Sequence, residues 1–335
     1  YLQFGEPINL NALLKEYPLS DYSSEKDWLF KVTPILGKKI MTNINGSTVV
    51  TSTALFSLAI LNSDGFSISK QELVSRIELL KSLLEEDKYS ANTLICEKTG
   101  EEIIDQMRKL GFLSKEDIND RISLTNLEAA KLSFYRNNIS HLLIFESLIC
   151  GFFQYQKEIV KEDLLQSIKM IYPFLKEEFF LKWDEADLDQ LINLKINKLI
   201  NKKLILEDSN VLKRPDFKSK EFYETQSLGK LVQPSIDRFY VLISQLWKNS
   251  EEHISKNELE RNSLEILKNL EKTQARLTPE FSEKWMFDVF LSRLIENKYV
   301  REDDKGMLYP TRITQRLEKD ANKFLEPNWL KELSK

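Results

Sequence analysis

The sequence has few of the residues that metal sites, disulfides and hydrolytic triads require. Its two cysteines, Cys96 and Cys150, fit no metal-ligand or disulfide spacing and are typical of a reducing compartment. The nine glycines are scattered singly, so there is no glycine-rich loop for a phosphate. Only two histidines are present. His141 is more typical of a core residue than of a catalytic base, and His253 lies in a polar turn, so no catalytic centre is predicted.

The sequence also lacks long apolar runs and a strong net charge. Its apolar stretches at 48–61 and 139–153 span about 14 and 15 residues, whereas crossing a bilayer takes about 20. Both are predicted to be core helices, although either could lie against a membrane surface. A net charge of −4 argues against a general binder of polyanions but leaves room for a local basic patch.

The N-terminal stretch is predicted to be the end of another domain. Alternating apolar residues before a Gly-Glu-Pro turn predict a short strand within residues 1–10, and no other strand is predicted near it. We interpret it as the last strand of a missing domain. Because the chain opens on Tyr1, we expect it to be a fragment, and no signal peptide is visible. Residues 11–47 are polar, with Pro18 and Pro34 as helix breakers.

From residue 48 onward the chain is predicted to be mainly α-helical and to repeat. Each repeat begins with an apolar helix, at 48–61, 139–153 and 236–247. Capping boxes start the next helix at Ser69–Glu72 and Ser255–Glu258, whereas the middle copy has Val160 and lacks the hydroxyl. The helices that follow share a 4-3-4 apolar spacing: Leu73, Ile77, Leu80 and Leu84; Leu164, Ile168, Ile171 and Leu175; and Leu259, Ser263, Ile266 and Leu270.

A further helix and a small hairpin close each repeat. The third helices carry equivalent apolar pairs at offsets of 92 and 95 residues: Ile104 and Met107, Ile196 and Leu199, Leu291 and Leu294. Charged turns at 115–120, 207–210 and 302–306 lead into short extended runs at 121–124, 211–213 and 307–309. Three helices and a hairpin are the outline of a winged-helix-like unit. The alternative is an irregular helical array whose spacings agree by chance.

These patterns predict five segments. They are an N-terminal end-of-domain and linker segment, three winged-helix-like units that stack on one another, and a charged helical tail. The tail begins at Arg312, runs to Pro327 and Trp329, and is expected to be loosely held. The predicted boundaries are 1–47, 48–131, 132–220, 221–311 and 312–335.

A polar cluster marks the entrance of the central apolar helix at 139–153. Arg136, Asn137, Asn138 and His141 precede a run that must be buried on nearly all sides, and buried polar groups need partners. One interpretation is a first helical turn whose donors are satisfied locally. The other is a binding site for an anionic group.

An acid follows each histidine by five residues, which superficially resembles a catalytic pair. The pairs are His141 with Glu146 and His253 with Glu258. At about 100° per residue, five helical steps turn through roughly 140°. We therefore expect the two side chains of each pair to diverge.

Parts of the sequence resemble the C-terminal region of the bacterial membrane-associated glycerol-3-phosphate acyltransferase family. The resemblance is carried by residues 134–148, which include Tyr-Arg-Asn-Asn-Ile-x-His, and by residues 172–184. Residues 4–10 resemble the segment that closes that family's acyltransferase domain, and residues 277–284 resemble another family segment. The match is in order and covers nearly the whole chain.

The resemblance implies a role in transfer of a fatty acyl group to the 1-hydroxyl of glycerol 3-phosphate in phospholipid synthesis. Acyl-CoA or acyl carrier protein would be the co-substrate, with no cofactor. The family's base is a histidine in a His-x4-Asp motif, which precedes the matched segments, so no catalytic, substrate-binding or metal residue is carried over. The missing first domain would be the α/β acyltransferase domain. The implied partners are that domain, the lipid surface at the cytoplasmic face of the bacterial inner membrane, and acyl carrier protein.

A second hypothesis is an adaptor or nucleic-acid-binding array, suggested by the winged-helix-like outline. A DNA-reading version needs a basic recognition helix. Among the third helices only the middle one is clearly basic, with Lys198, Lys202 and Lys203. These lysines could form a phosphate or lipid-headgroup patch or an ordinary solvated face. The net charge of −4 and the lack of a clearly basic third helix in the other two units make nucleic acid the less favoured partner.

Overall fold

The structure, a computed structural model, describes residues 3–113, 120–249, 253–273 and 284–326. It is mainly helical with small sheets, as predicted. The helices are α1 (Leu10–Glu16), α2 (Glu25–Gly46), α3 (Ser52–Leu61), α4 (Lys70–Glu86), α5 (Gly100–Lys109), α6 (Asn126–Ser140), α7 (Ile144–Tyr155), α8 (Lys161–Glu178), α9 (Leu188–Asn201), α10 (Lys220–Gly229), α11 (Gln233–Lys248), α12 (Lys256–Thr273), α13 (Lys284–Glu296) and α14 (Arg312–Asp320). The strands are β1 (Val49–Val50), β2 (Ser67–Ser69), β3 (Leu94–Ile95), β4 (Arg121–Ser123), β5 (Glu158–Val160), β6 (Leu206–Asp208), β7 (Val211–Lys213), β8 (Ile254–Ser255), β9 (Val300–Glu302) and β10 (Met307–Pro310).

The two longest apolar stretches form core helices, as predicted. In α3 every residue except Thr53 is buried, and in α7 every residue from Ile144 to Phe153 is buried. Apolar side chains of α3, α7 and α11 belong to one continuous hydrophobic core. In the described ranges, no helix combines the length and apolar character needed to cross a membrane.

The predicted extended runs are strands, and each pairs with a strand that precedes the second helix of its repeat. The pairs are antiparallel, with Ile68 opposite Ile122, Ile159 opposite Leu212, and Ile254 opposite Leu308. In the second and third repeats a further antiparallel strand completes a three-stranded sheet, in the orders β5-β7-β6 and β8-β10-β9. The charged turn predicted at 115–120 lies outside the described residues except for Asp120.

The helix start signals act largely as predicted. The Ser69 hydroxyl accepts a hydrogen bond from the Glu72 amide at 3.2 Å, and the Ser255 hydroxyl accepts one from the Glu258 amide at 3.3 Å. Val160 provides no side-chain cap. Complete capping boxes occur instead at α5 and α6, where Thr99 and Thr125 begin the helices.

Three expectations about the ends of the chain were wrong. Residues 3–9 form no strand, because no strand in the described structure lies beside them to complete a sheet. Pro34 does not break a helix but lies inside α2. The tail is not loosely held as far as residue 326, since Leu317, Phe324 and Leu325 are buried in the core. The predicted tail end at Pro327 and Trp329 lies outside the described residues.

Candidate functional site

The predicted polar cluster lies at the end of one helix rather than at the entrance of another. The apolar run 139–153 is divided: α6 ends at Ser140, a single 3-10 turn follows, and α7 begins at Ile144. Arg136 is half-buried, and its guanidinium donates to the Asn137 side-chain oxygen at 2.9 and 3.1 Å. Asn138 is exposed. The expectation of a first helical turn was therefore wrong.

His141 is separated from the rest of that cluster and faces the interior. Its side chain lies 3.3 Å, measured from Nε2, from both the Thr48 hydroxyl and the Asn45 carbonyl. The Tyr89 ring packs edge-on against the imidazole at a centroid distance of 5.1 Å. Burial lowers the pKa of His141 to about 4, although the bond to the Asn45 backbone opposes this. The imidazole is therefore neutral at pH 7 and closed off from substrate.

A buried charge network lies on the other side of α7. Glu146 is 1 % exposed, and its Oε1 accepts from the Lys195 ammonium at 2.9 Å and from the Lys198 ammonium at 3.2 Å. Lys195 also binds Asp87 at 2.6 Å, and Lys198 donates to the Leu83 carbonyl. The network thus connects α4, α7 and α9. As predicted, Glu146 and His141 point to different surroundings.

The two lysines respond to the network in opposite directions. Burial lowers the pKa of both, because removing an ammonium from water disfavours its charged form. For Lys195 the carboxylates of Glu146 and Asp87 outweigh burial, and its pKa is raised above the ordinary 10.5. Lys198 binds one carboxylate and a carbonyl, so burial prevails and its pKa is lowered. Glu146 therefore offsets the cost of burying two cations at once.

The predicted basic patch on α9 does not exist as a surface. Lys198 is buried in the Glu146 network, and Lys202 donates to the Ser82 hydroxyl at 2.6 Å and to Glu86. Only Lys203 of the three is exposed. Because two of the three lysines are turned toward α4, they do not form the exposed basic recognition face that the DNA-reading hypothesis requires.

Tyr89 joins the histidine side of α7 to the charge network. Its ring packs edge-on against Trp183 at 4.9 Å, and the Lys182 ammonium lies 4.7 Å from the centre of the same ring. The Tyr89 hydroxyl accepts a hydrogen bond from the Lys182 amide at 3.2 Å. The loop before α9 is thus fixed against the loop after α4.

The second histidine packs on an aromatic ring. His253 is half-buried rather than solvated as expected, and its ring packs on Tyr309 with centroids 4.0 Å apart. Searched across the described ranges, no group of three or more histidine, cysteine, aspartate or glutamate side chains could hold a metal ion. The site therefore stabilises the packing of helices through buried ion pairs and aromatic contacts. It does not bring a nucleophile and a base together.

Comparison with known proteins places the chain in a family. The model of the glycerol-3-phosphate acyltransferase C-terminal region matches residues 1–303. A glycerol-3-phosphate acyltransferase of Xanthomonas campestris pv. campestris is 29% identical over 320 residues, which are 92% of this chain and 36% of the relative. The corresponding protein of Pseudomonas fluorescens is 27% identical over 92% of this chain and 38% of its own length. That of Glaesserella parasuis is 28% identical over 95% of this chain and 40% of its own length.

The fold and the site define a helical region whose helices are held together by buried ion pairs and aromatic contacts. The chain belongs to the glycerol-3-phosphate acyltransferase family and corresponds to its C-terminal region. It spans about 36–40% of the length of these curated relatives.

Proposed function

We propose that this chain is a non-catalytic, architectural region of a glycerol-3-phosphate 1-O-acyltransferase. The observation that carries the proposal is the occupation of its polar interior: Glu146 and Asp87 together offset the charges of Lys195 and Lys198, and His141 is enclosed with a depressed pKa. Family membership supports acylation of glycerol 3-phosphate as the reaction. We propose phospholipid synthesis as its pathway and acyl-CoA or acyl carrier protein as the donor. An acyltransferase domain at the cytoplasmic face of the inner membrane would carry the catalytic histidine.

The purified chain is expected to show no acyl transfer, because His141 is buried and the catalytic histidine is expected in the acyltransferase domain. The measurement is incorporation of labelled glycerol 3-phosphate into lipid with palmitoyl-CoA or palmitoyl-loaded carrier protein, with the full-length Pseudomonas fluorescens relative as positive control. Turnover by the chain above the no-protein background would contradict the proposal.

The architectural role follows from how the units associate, and we propose that there are three winged-helix-like units. The described order helix, strand, helix, helix, strand, strand occurs in α7–β7 and again in α11–β10. The α3–β4 segment has the same order apart from its closing hairpin and the short extra pair of β1 with β3. The antiparallel sheets support the same interpretation.

Adjacent units are joined by the same kind of contact. On the third helix of the second unit, Lys198 and Lys202 reach the end of α4 in the first unit, at Leu83 and Glu86. On the third helix of the third unit, Arg293 binds Glu177 near the end of α8 in the second unit at 2.8 Å. By the repeat spacing, Arg293 and Lys198 occupy equivalent positions, 95 residues apart.

The equivalent positions of the terminal units carry other side chains. Gln106 of the first unit occupies the position of Lys198, 92 residues earlier, and Lys272 of the third unit occupies the position of Glu177, 95 residues later. The ion pair between the second and third units therefore has no sequence equivalent at these two positions.

The junction between the second and third units is expected to show coupling in a double-mutant cycle. Glu177→Gln and Arg293→Gln each remove one partner, and the cycle separates their interaction from the pairing of Glu177 with Lys38. We expect non-additivity of about 0.5 kcal/mol or more, with faster amide exchange in α13 for each single variant. The control is Lys169→Gln with Asp189→Asn, a 2.5 Å pair within the second unit, which should leave α13 exchange unchanged. Additive effects of Glu177→Gln and Arg293→Gln on the free energy of unfolding would refute the proposed junction between the two units. An equal change in the amide exchange of α13 for the control pair would also refute it.

A further inference from the structure

The N-terminal helices expose an unusual share of the large apolar side chains. Among the described residues, 19 large hydrophobic side chains are exposed, and nine of them lie between Phe4 and Ile44. Phe30 is 79 % exposed and Ile44 is 55 % exposed, both on α2. Contiguous exposed apolar surface on a soluble region marks an interaction site, whereas single exposed residues need no explanation.

One side of α2 carries an uncharged, mostly exposed stripe. Between Phe30 and Ile44, the positions that fall within one sector of about 120° of the helix circumference, at 100° per residue, carry no charge. At a rise of 1.5 Å per residue, this stripe is about 21 Å long. We call these positions the α2 stripe: Phe30, Thr33, Pro34, Gly37, Ile40, Met41 and Ile44. All are exposed except Gly37, which is half-buried.

Residues outside the stripe tie α2 to other parts of the chain, which leaves the stripe facing outward. The Asn45 side-chain amide donates to the Phe179 carbonyl at 2.7 Å, and Lys38 pairs with Glu177. At the other end, the Trp28 indole donates to the Tyr17 carbonyl at 2.8 Å. The helix is thus positioned by the units behind it and presents its apolar side to a partner.

The charges around the stripe do not favour lipid as that partner. Helices that lie in a membrane interface carry a strongly basic polar face beside the apolar one. In α2, Lys31 is paired with Asp27 at 3.1 Å and Lys38 with Glu177, whereas Lys26 and Lys39 are exposed, and Glu25 and Asp27 are acidic. The polar side of the helix is therefore mixed in charge rather than strongly basic, and no residue from Ile40 to Gly46 is charged. An uncharged apolar stripe fits an apolar patch on a folded protein.

The relatives indicate which folded protein would be the partner of the α2 stripe. The matched stretch is 36–40% of their length and corresponds to the C-terminal region of the family, so most of each relative precedes the stretch that α1 and α2 begin. We infer that the α2 stripe is the docking surface for the acyltransferase domain, whether that domain is joined to this chain or supplied separately. The inference rests on the proposed function, since it takes the partner from it.

The test uses a chimera in which this chain replaces the matched C-terminal region of the Xanthomonas campestris relative. A photoreactive p-benzoylphenylalanine is placed at position 30, or at position 134 as a matched control. Phe134 is also an exposed helical phenylalanine, 69 % exposed, but lies on α6. Irradiation is done with vesicles of bacterial polar lipids present, and the crosslinked peptides are identified by mass spectrometry.

We expect position 30 to crosslink to the preceding acyltransferase portion at least tenfold more than position 134. Crosslinks from position 30 only to lipid, only to a second copy, or at the level of the control would overturn the docking surface. Acyl transfer by the unmodified chimera is measured separately. An active chimera with no position-30 crosslink refutes the docking surface alone, whereas loss of activity with the crosslink intact refutes the proposed function alone.

Discussion

Glu146→Ala is expected to lower the free energy of unfolding by about 3–5 kcal/mol, the usual cost of removing one partner from a buried ion pair. The substitution leaves two ammonium groups, Lys195 and Lys198, close together in the interior, since both now bind the same carboxylate oxygen. Lys195 keeps Asp87, but Lys198 keeps only the Leu83 carbonyl. The measurement is urea unfolding followed by circular dichroism.

Two controls separate the charge effect from loss of packing. Asp189→Ala breaks the more exposed Lys169–Asp189 pair and should cost less than about 1 kcal/mol. Replacing Glu146, Lys195 and Lys198 together by leucine should recover most of the loss, because a buried ion network can be exchanged for apolar residues at little cost. The deficit of Glu146→Ala should also narrow as the pH rises toward 10.5, the ordinary pKa of lysine. Burial lowers the pKa of Lys198, so the folded variant loses this proton before the unfolded chain does. A deficit below 1 kcal/mol would show that the network is not buried as described.

Gly229→Ala is expected to lower the free energy of unfolding by about 1–3 kcal/mol, because α10 crosses α7 too closely for a methyl group. A Cβ at position 229 would lie 2.9 Å from the Cys150 carbonyl carbon and from the Gly151 amide nitrogen, and 2.6 Å from the Gln154 side-chain nitrogen. Two of these atoms are backbone, so the helices must separate.

Gly37→Ala is the matched control for that substitution. Gly37 also lies inside a helix, but a Cβ there meets no atom within 4 Å. Alanine should therefore leave stability unchanged or raise it by up to about 1 kcal/mol through its higher helix propensity. Equal effects of the two substitutions in urea unfolding would contradict the close crossing of α7 and α10.

Local sequence patterns predicted much of this fold because they depend on near neighbours. The 4-3-4 spacing placed the apolar faces of α4 and α8, and Leu73, Ile77, Leu164 and Ile168 are all fully buried. The prediction that Pro34 breaks a helix was wrong because a proline removes only one backbone hydrogen bond from the helix. The carbonyl that loses its partner belongs to the exposed residue Phe30, where solvent can replace the bond.

The candidate site depended on pairings that local patterns do not contain. Glu146 stands in an apolar run and needs a cation, yet the sequence has 48 lysines and arginines and does not say which two bind it. Its partners, Lys195 and Lys198, are 49 and 52 residues away. Lys198 looked like part of a basic surface because helical periodicity does not show that α4 covers it.

The central claim is that this chain serves as the C-terminal region of an acyltransferase without contributing catalytic groups. The most direct measurement compares acyl transfer by the Xanthomonas campestris relative cut before its matched region with that of the chimera completed by this chain. The account predicts little or no turnover from the truncated relative and substantial recovery in the chimera. Full activity of the truncated relative, or no recovery by a folded chimera, would contradict it.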